Sequence, residues 1–472
     1  METKQVDFEL SPGLAISPID GRYHDKTKEL AFFFSEFALM RFRFLIEIMW
    51  LLFLSSIGLI RRITPLEKDF LLSFYQHFSE AHYEMIKEIE KTTNHDVNAV
   101  VRFLQQILEG HKTLFDLSEF VHIGLTSEDV NNTAFAFMLR GGVKTLLDWY
   151  EGVLYSLRLQ ALGNRTVALL AHTHGQPASP TTVGWEVNVF CERLMKKYIK
   201  LRKSTLFVKF GGATGGHNAL YAAWPKVNWR VYSQKFIGRL NRFEVVKGEK
   251  IILPFVYNPY STQIDDHDTY VELFSTIHGT NSILIDFSRD MWTYISMQVF
   301  SQKPKEGETG SSTMPHKINP IDFENTEGNL GIANALFDHF RNKLPISRLQ
   351  RDLTDSTVIR NFGTAFGHTL IGLKSLKKGL GKVEVNKEQI RLMLERNWAV
   401  LAEPIQIILR REGVKKSYDL LKDLTRGKKE ITKENMQDLI TQIVLDSELS
   451  EKVAQELLAL TPENYIGNRD FE

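Results

Sequence analysis

The chain has 472 residues, with 58 Lys and Arg against 57 Asp and Glu, a net charge of +1 when its histidines are neutral. That balance supplies no global field to steer a polyanion, so a nucleic-acid partner is not expected. A single cysteine, Cys191, excludes an internal disulfide, and the opening Met1 to Asp7 has no apolar signal core, so a reducing, cytoplasmic location is expected.

The chain opens on the turn-rich Ser17-Pro18-Ile19-Asp20-Gly21-Arg22-Tyr23. From Leu30 to Ile60 apolar and aromatic residues dominate over helical lengths. The run Ile48 to Ile60 is too short for a bilayer and follows Arg41, Arg43 and Glu47, so it predicts a buried core helix and no membrane association. Pro65 to Thr92 predicts a second helical stretch charged on one face, and Thr92-Thr93-Asn94-His95-Asp96 interrupts it before a helix over Val97 to Leu108. His95 reads either as a cap or as an imidazole that the Asn-His-Asp order holds in one tautomer.

Thr126-Ser127-Glu128-Asp129 has the capping-box pattern and predicts a helix through Leu139, with hydroxyls and N–H groups that would also suit an anion. Thr173-His174-Gly175-Gln176-Pro177 runs through Ser179-Pro180, read as a cap with a first-turn proline, into a long helix carrying Trp185, Val189, Leu194 and Leu201. Gly211 to Gly216 does not fit G-x-G-x-x-G and lacks strand and helix alternation around it, which argues against a dinucleotide. Asn258 to Gln263 is a polar connection before the helical run Asp268 to Gln302.

The breaker-rich Lys303 to Thr309 then leads into Gly310-Ser311-Ser312-Thr313-Met314-Pro315-His316-Lys317-Ile318-Asn319-Pro320. Asn319 as cap and Pro320 in the first turn predict a helix whose N–H groups, with Lys317, hold a carboxylate or one gaining a second negative charge. Two serines, Ser311 and Ser312, lie beside that site, close enough in sequence for one hydroxyl to act on a carbon attached to the carboxylate. Further on, Arg348, Arg351, Ser356 and Arg360 cluster where a helix is predicted from Asp355, and Ser356 and Arg360 share a face that with Arg351 suits a phosphate. The tail from Val383 is helical and charged.

Polar loops at helix starts, spread over more than two hundred residues of a helical chain, meet only if long helices carry them together. An all-α fold is therefore expected, with a small helical domain at 1–118, a central long-helix bundle at 119–378 and a helical domain at 379–472, and with loops contributed by several subunits. The available groups, a hydroxyl, an imidazole, a lysine and anion-binding loops with neither a metal-ligand cluster nor a cofactor motif, fit acid and base elimination beside a carboxylate.

The run Gly310 to Asn319 resembles the signature loop of the fumarase/aspartase superfamily, G-S-x-x-M-x-x-K-x-N, and within it the chain is similar to the bacterial adenylosuccinate lyase family. Ser17 to Tyr23, Thr92 to Asp96, Thr126 to Asn132, Thr173 to Pro177, Asn258 to Gln263, Ser311 to Asn329, Arg348 to Asn361 and Asn464 to Gly467 match in order. The resemblance implies elimination of fumarate from succinylated purine nucleotides, no cofactor or metal, and a homotetramer with shared active sites. It implies Ser311 as the base, His174 as the acid oriented by Glu324, and Lys317 with Asn319 stabilising the doubly charged carboxylate. Thr126, Ser127, Thr173 and Gln263 would hold the succinyl end, and Ser312 and Met314 of the loop would also bind substrate. Arg22, Tyr23, Arg351, Ser356 and Arg360 would hold the phosphate, and His95 and Asp96 the base or ribose. His172, Gly216 and Asp266 depart from the usual Arg, Asn and Pro. A superfamily lyase acting on argininosuccinate, fumarate or aspartate would share the loop but not need the phosphate arginines.

Overall fold

The computed structural model describes residues 11–246, 248, 251–303, 314, 317–425 and 431–471. Helices dominate, as expected for an all-α fold, joined among the described residues by three two-stranded sheets. The longest helices among the described residues are Glu36–Ser56, Ser127–Gly163, Val183–Arg202, Asp268–Ser296, Ile321–Lys343 and Phe362–Leu380. No helix among the described residues is long and apolar enough to cross a membrane.

Two compact units divide the chain. The first comprises Met1–Glu151, Lys196–Ser282 and Gly328–Lys374. Its helix Glu36–Ser56 is buried from Ala38 to Leu54, so the expected core helix is present, entered through a Ser35 side chain that accepts from the Ala38 N–H at 3.1 Å. Trp50 on that helix packs against Phe53, Phe210, Trp229 and Phe236, a cluster in which each large side chain contributes about 1.5–3 kcal/mol by leaving water. The stretch expected as one helix from Pro65 to Thr92 is two, Pro65–Gln76 and Glu80–Thr93, the first held by a capping box between Thr64 and Glu67. The helix opened by Ser127 does not stop at Leu139 but runs to Gly163. Gly141 and Gly142 look like breakers, yet a Cβ at either would fall 2.1 Å from the Phe33 ring or 2.3 Å from the Phe34 ring, so these glycines serve packing rather than termination. Across the long helices of this unit the Tyr150 hydroxyl donates to Asn281 at 3.3 Å and the Asn281 amide to Thr369 at 3.2 Å.

The second unit comprises Gly152–Met195, Ile283–Glu327 and Ser375–Glu472. Its long helices are tied by Arg158 donating to Asn188 at 2.9 Å, Tyr294 to Glu186 at 3.2 Å and Asn325 to Ser375 at 2.8 Å. The C-terminal helices have their own apolar core around Leu401, Ile405, Met436 and Leu457. Here the expected helix start at Ser179-Pro180 is corrected: Ala168–Thr173 and Gln176–Thr182 form an antiparallel hairpin. His174 and Gly175 are its two-residue turn with φ of 53° and 71°, the left-handed pair that such a turn requires. The helix begins only at Val183, with the Thr182 hydroxyl accepting from the Trp185 N–H at 3.1 Å.

Candidate active site

In the first unit a cleft of about 350 Å³ is lined by His95, Asp96, Ser127, Arg351, Ser356 and Arg360, six residues that the sequence scatters over more than 260 positions. His95 caps the helix Asp96–Glu109, its Nδ1 accepting from the Asn98 N–H at 3.2 Å. That contact makes Nδ1 the acceptor, so the cap reading is met, and the Asn98 N–H rather than the Asn94-His95-Asp96 order engages the ring. Asp96 accepts from Arg43 at 2.8 Å, from Arg360 at 3.0 Å and from the Val97 N–H at 2.8 Å. Burial pushes its carboxyl up, but the Arg43 guanidinium and these bonds outweigh burial and bring it down to about 2.

Arg351 is engaged differently. Its Nη2 pairs with Glu128 at 2.9 Å and its Nη1 donates to Gln263 at 3.5 Å. Burial raises Glu128 above the usual carboxylate range even with Arg351 beside it. Ser127 opens the helix Ser127–Gly163, and the preceding Thr126 N–H donates to Asp129 at 2.8 Å. Asp129 also accepts from Lys209 Nζ at 2.7 Å, the Gly211 N–H at 2.9 Å and the Gly212 N–H at 3.1 Å. The glycine run read as no dinucleotide loop is thus bound to the Thr126 turn, and the adjoining Ala213 carbonyl accepts from Gln263 at 3.3 Å. Asp266, at a position where proline is usual, accepts from Asn258 at 2.9 Å and from the Asp268 N–H at 3.0 Å, which steadies the start of the helix Asp268–Ser296.

Arg22 and Tyr23 precede the helix His24–Phe34 of the same unit, Arg22 exposed, and neither lines this cleft. Ser356 lies within the short helix Thr354–Ile359, one residue earlier in onset than expected, and Arg360 is its C-cap. Sequence reasoning passed over Arg43, Glu128 and Asn131 as cleft residues. Arg43, whose side chain is 2% exposed, carried a usable signal: a charge inside the apolar run Ala38–Leu54.

In the second unit Thr173 and His174 are exposed at the tip of the hairpin. The helix bearing Glu324 is Ile321–Lys343, so Pro320 rather than Asn319 occupies the cap position, with the Glu324 N–H donating to the Pro320 carbonyl at 3.2 Å. Proline's fixed φ suits the entry, and Asn319 sits one residue before it. Glu324 stands in the first turn as expected. Its carboxylate accepts from the Trp292 indole at 3.1 Å, and among the described residues of this chain it makes no bond to His174. Lys317 is exposed, its N–H donating to the Met314 carbonyl at 3.1 Å, and the Gln302 amide donates to the Ile318 carbonyl at 3.0 Å. Ser311 and Ser312 lie outside the described residues.

A lyase family model matches residues 22–333, and a model for the adenylosuccinate lyase C-terminal region matches residues 347–466. The chain is 44% identical over 464 residues to the adenylosuccinate lyases of Haemophilus influenzae and Escherichia coli, each match covering 98% of both sequences. It is 43% identical over 473 residues to that of Dictyostelium discoideum, again with 98% of both covered. Among solved structures, a fumarate lyase from a Mesorhizobium species superposes with a TM-score of 0.72 over 94% of this chain and 95% of the other at 17% identity, a likeness of fold alone.

Proposed function

The chain belongs to the adenylosuccinate lyase family of the fumarase/aspartase superfamily, and we propose that it eliminates fumarate from adenylosuccinate, giving AMP, and from succinylaminoimidazole carboxamide ribotide, giving AICAR. The observation that carries this reading is the identity of 44% over nearly the whole length to named adenylosuccinate lyases. The cleft supports it, since it gathers Ser356 and Arg360 for a phosphate with His95 beside them.

In the reaction proposed, Ser311 removes a proton from the carbon beside the carboxylate, the C–N bond breaks, and His174 gives its proton to the departing nitrogen. A carbon acid next to a carboxylate is very weakly acidic, so the transient second negative charge needs fixed positive partners; Lys317 and Asn319 take that role. Thr126, Ser127, Thr173 and Gln263 hold the succinyl end, and Ser312 and Met314 also bind substrate. Arg22, Tyr23, Arg351, Ser356 and Arg360 hold the phosphate, and His95 and Asp96 the base or ribose.

The proposed working form is a cytoplasmic homotetramer in which subunits share active sites, with domains at 1–118, 119–378 and 379–472. Two observations support the assembly. The His174 side chain makes no hydrogen bond among the described residues, and the long helices leave Tyr155, Leu159, Val189, Ile199 and Ile332 exposed, apolar side chains of the kind that a partner covers. The test is release of fumarate from adenylosuccinate by the purified protein. Turnover of argininosuccinate or aspartate instead would overturn the reading.

A further inference from the structure

We propose that Glu36 is a positioning residue that, together with Asp96, clamps the Arg360 guanidinium in the orientation that receives the substrate phosphate; this rests on the function proposed above. Glu36 accepts from Arg360 Nη1 at 2.9 Å while Asp96 accepts from Nη2 at 3.0 Å. Each nitrogen is therefore held by a carboxylate from a different helix. Both anchors are rigid. Glu36 is the first residue of the helix Glu36–Ser56, whose following turns are buried. Asp96 opens the helix Asp96–Glu109 and is itself fixed by Arg43 at 2.8 Å.

A free arginine side chain carries rotamer entropy, which a ligand would otherwise have to overcome when it orders the guanidinium. The clamp removes most of that cost before the ligand arrives. It uses one N–H of each terminal nitrogen and leaves Nε–H and the remaining N–H groups for a further acceptor. Arg360 is 41% exposed at its side chain and lines the cleft beside Ser356, so those donors remain accessible. The charge of Glu36 opposes an incoming phosphate, whereas its hydrogen bond favours one by fixing the arginine. The two effects separate by substitution, because Glu36→Gln keeps an acceptor oxygen without the charge and Glu36→Ala removes both.

The experiment compares inhibition of adenylosuccinate cleavage by the two products, AMP and fumarate, of which only AMP carries a phosphate. We expect Glu36→Ala to raise the AMP inhibition constant and KM by about tenfold, the scale of one charge-assisted hydrogen bond, with kcat and the fumarate constant unchanged. Glu36→Gln should restore AMP binding to within about threefold of the wild type, because the neutral bond retains about half the strength. Unaltered AMP inhibition in Glu36→Ala overturns the clamp, as does an equal weakening of both products, which marks a general structural defect. If the wild type releases no fumarate from adenylosuccinate, it is the functional reading that fails rather than the clamp.

Discussion

The indole Nε1–H of Trp292 donates to Oε1 of Glu324 at 3.1 Å, joining the helices Asp268–Ser296 and Ile321–Lys343. One oxygen of the carboxylate is thereby fixed, and among the described residues Oε2 has no hydrogen-bond donor. In the proposed assembly its donor is the His174 imidazole of another copy, so Trp292 sets the direction from which Glu324 meets it. Trp292→Phe keeps the ring and loses the N–H, and we expect kcat to fall by about tenfold, the lower end of what a hydrogen bond to a charged group is worth. In a His174→Ala background the same change should cost almost nothing more, because residues acting as one unit are non-additive. Steady-state kinetics of the two single variants and the double checks this, and independent multiplication of the two losses would show that Trp292 acts elsewhere.

The pairing of Trp292 with Glu324 was not legible in the sequence, because it joins positions 32 residues apart on two helices whose relative rotation no local pattern encodes. What the sequence did disclose were features set locally. The Thr126 turn and the cap at His95 follow from residue types at helix starts, and the structure has them there; Glu324 came from the resemblance and stands in the first turn of its helix. Two misplaced helix ends have a common kind of cause, tertiary structure that local residue types do not encode. Gly141 and Gly142 make room for phenylalanine rings inside a helix. Pro180 sits in a strand because His174-Gly175 closes a hairpin upstream of it. Arg43 was overlooked because a charge within an apolar run is explained only by its distant partners Asp96 and Asn131.

The close approach at Gly141 has a sign that magnitudes decide. Alanine is the better helix former by about 1 kcal/mol. Its Cβ would lie 2.1 Å from the Phe33 ring, and forcing a methyl into a packed site costs about 1–3 kcal/mol. We therefore expect Gly141→Ala to be destabilising, read as a lower midpoint in urea unfolding with an unchanged slope. Phe33→Leu in the same background should recover part of the loss, because a smaller, flexible side chain can move aside. A stabilised Gly141→Ala would mean that the Phe33 ring shifts without cost.

Glu67 should contribute to acid sensitivity, as should Asp96, whose carboxyl is brought down to the same value. Burial pushes the Glu67 carboxyl up from the ordinary 4.5, but hydrogen bonds from Arg61, the Thr64 N–H and Thr113 outweigh burial and bring it down to about 2. The folded carboxyl thus has the lower pKa. As pH falls, the unfolded chain takes up the proton first, and stability rises with pH through this window. The contribution of Glu67 is present above about 4.5 and lost as pH falls toward about 2. Melting temperatures of wild type and Glu67→Gln, measured across that range, should differ most at neutral pH and converge at the acid end. A constant difference would assign the stabilisation to shape rather than charge.

The buried pair of Lys209 and Asp129 makes the strongest demand on the fold. Both side chains are fully buried with Nζ and Oδ1 2.7 Å apart, and Lys209 also donates to the Gly212 carbonyl at 2.7 Å. Asp129 holds the Thr126, Gly211 and Gly212 N–H groups as well, so one carboxylate fixes both the turn proposed for the succinyl end and the glycine run beside Gln263. Removing one partner of such a pair leaves an uncompensated charge, which costs about 3–5 kcal/mol. We expect Lys209→Met and Asp129→Asn each to destabilise on that scale, and to raise the fumarate inhibition constant more than that of AMP, because the turn bearing Thr126 and Ser127 loosens. The double variant removes both charges. Its total loss should be smaller than the sum of the single losses, since neither charge is then stranded. The fumarate constant should stay raised, because the amide that Asp129→Asn introduces cannot accept from all the N–H groups that the carboxylate held. Denaturant unfolding and product inhibition on the three variants measure both effects. If the stabilities added, the ion pair would not act as a unit, and if the fumarate constant recovered in the double variant, the turn would owe its geometry to charge balance rather than to the carboxylate's hydrogen bonds.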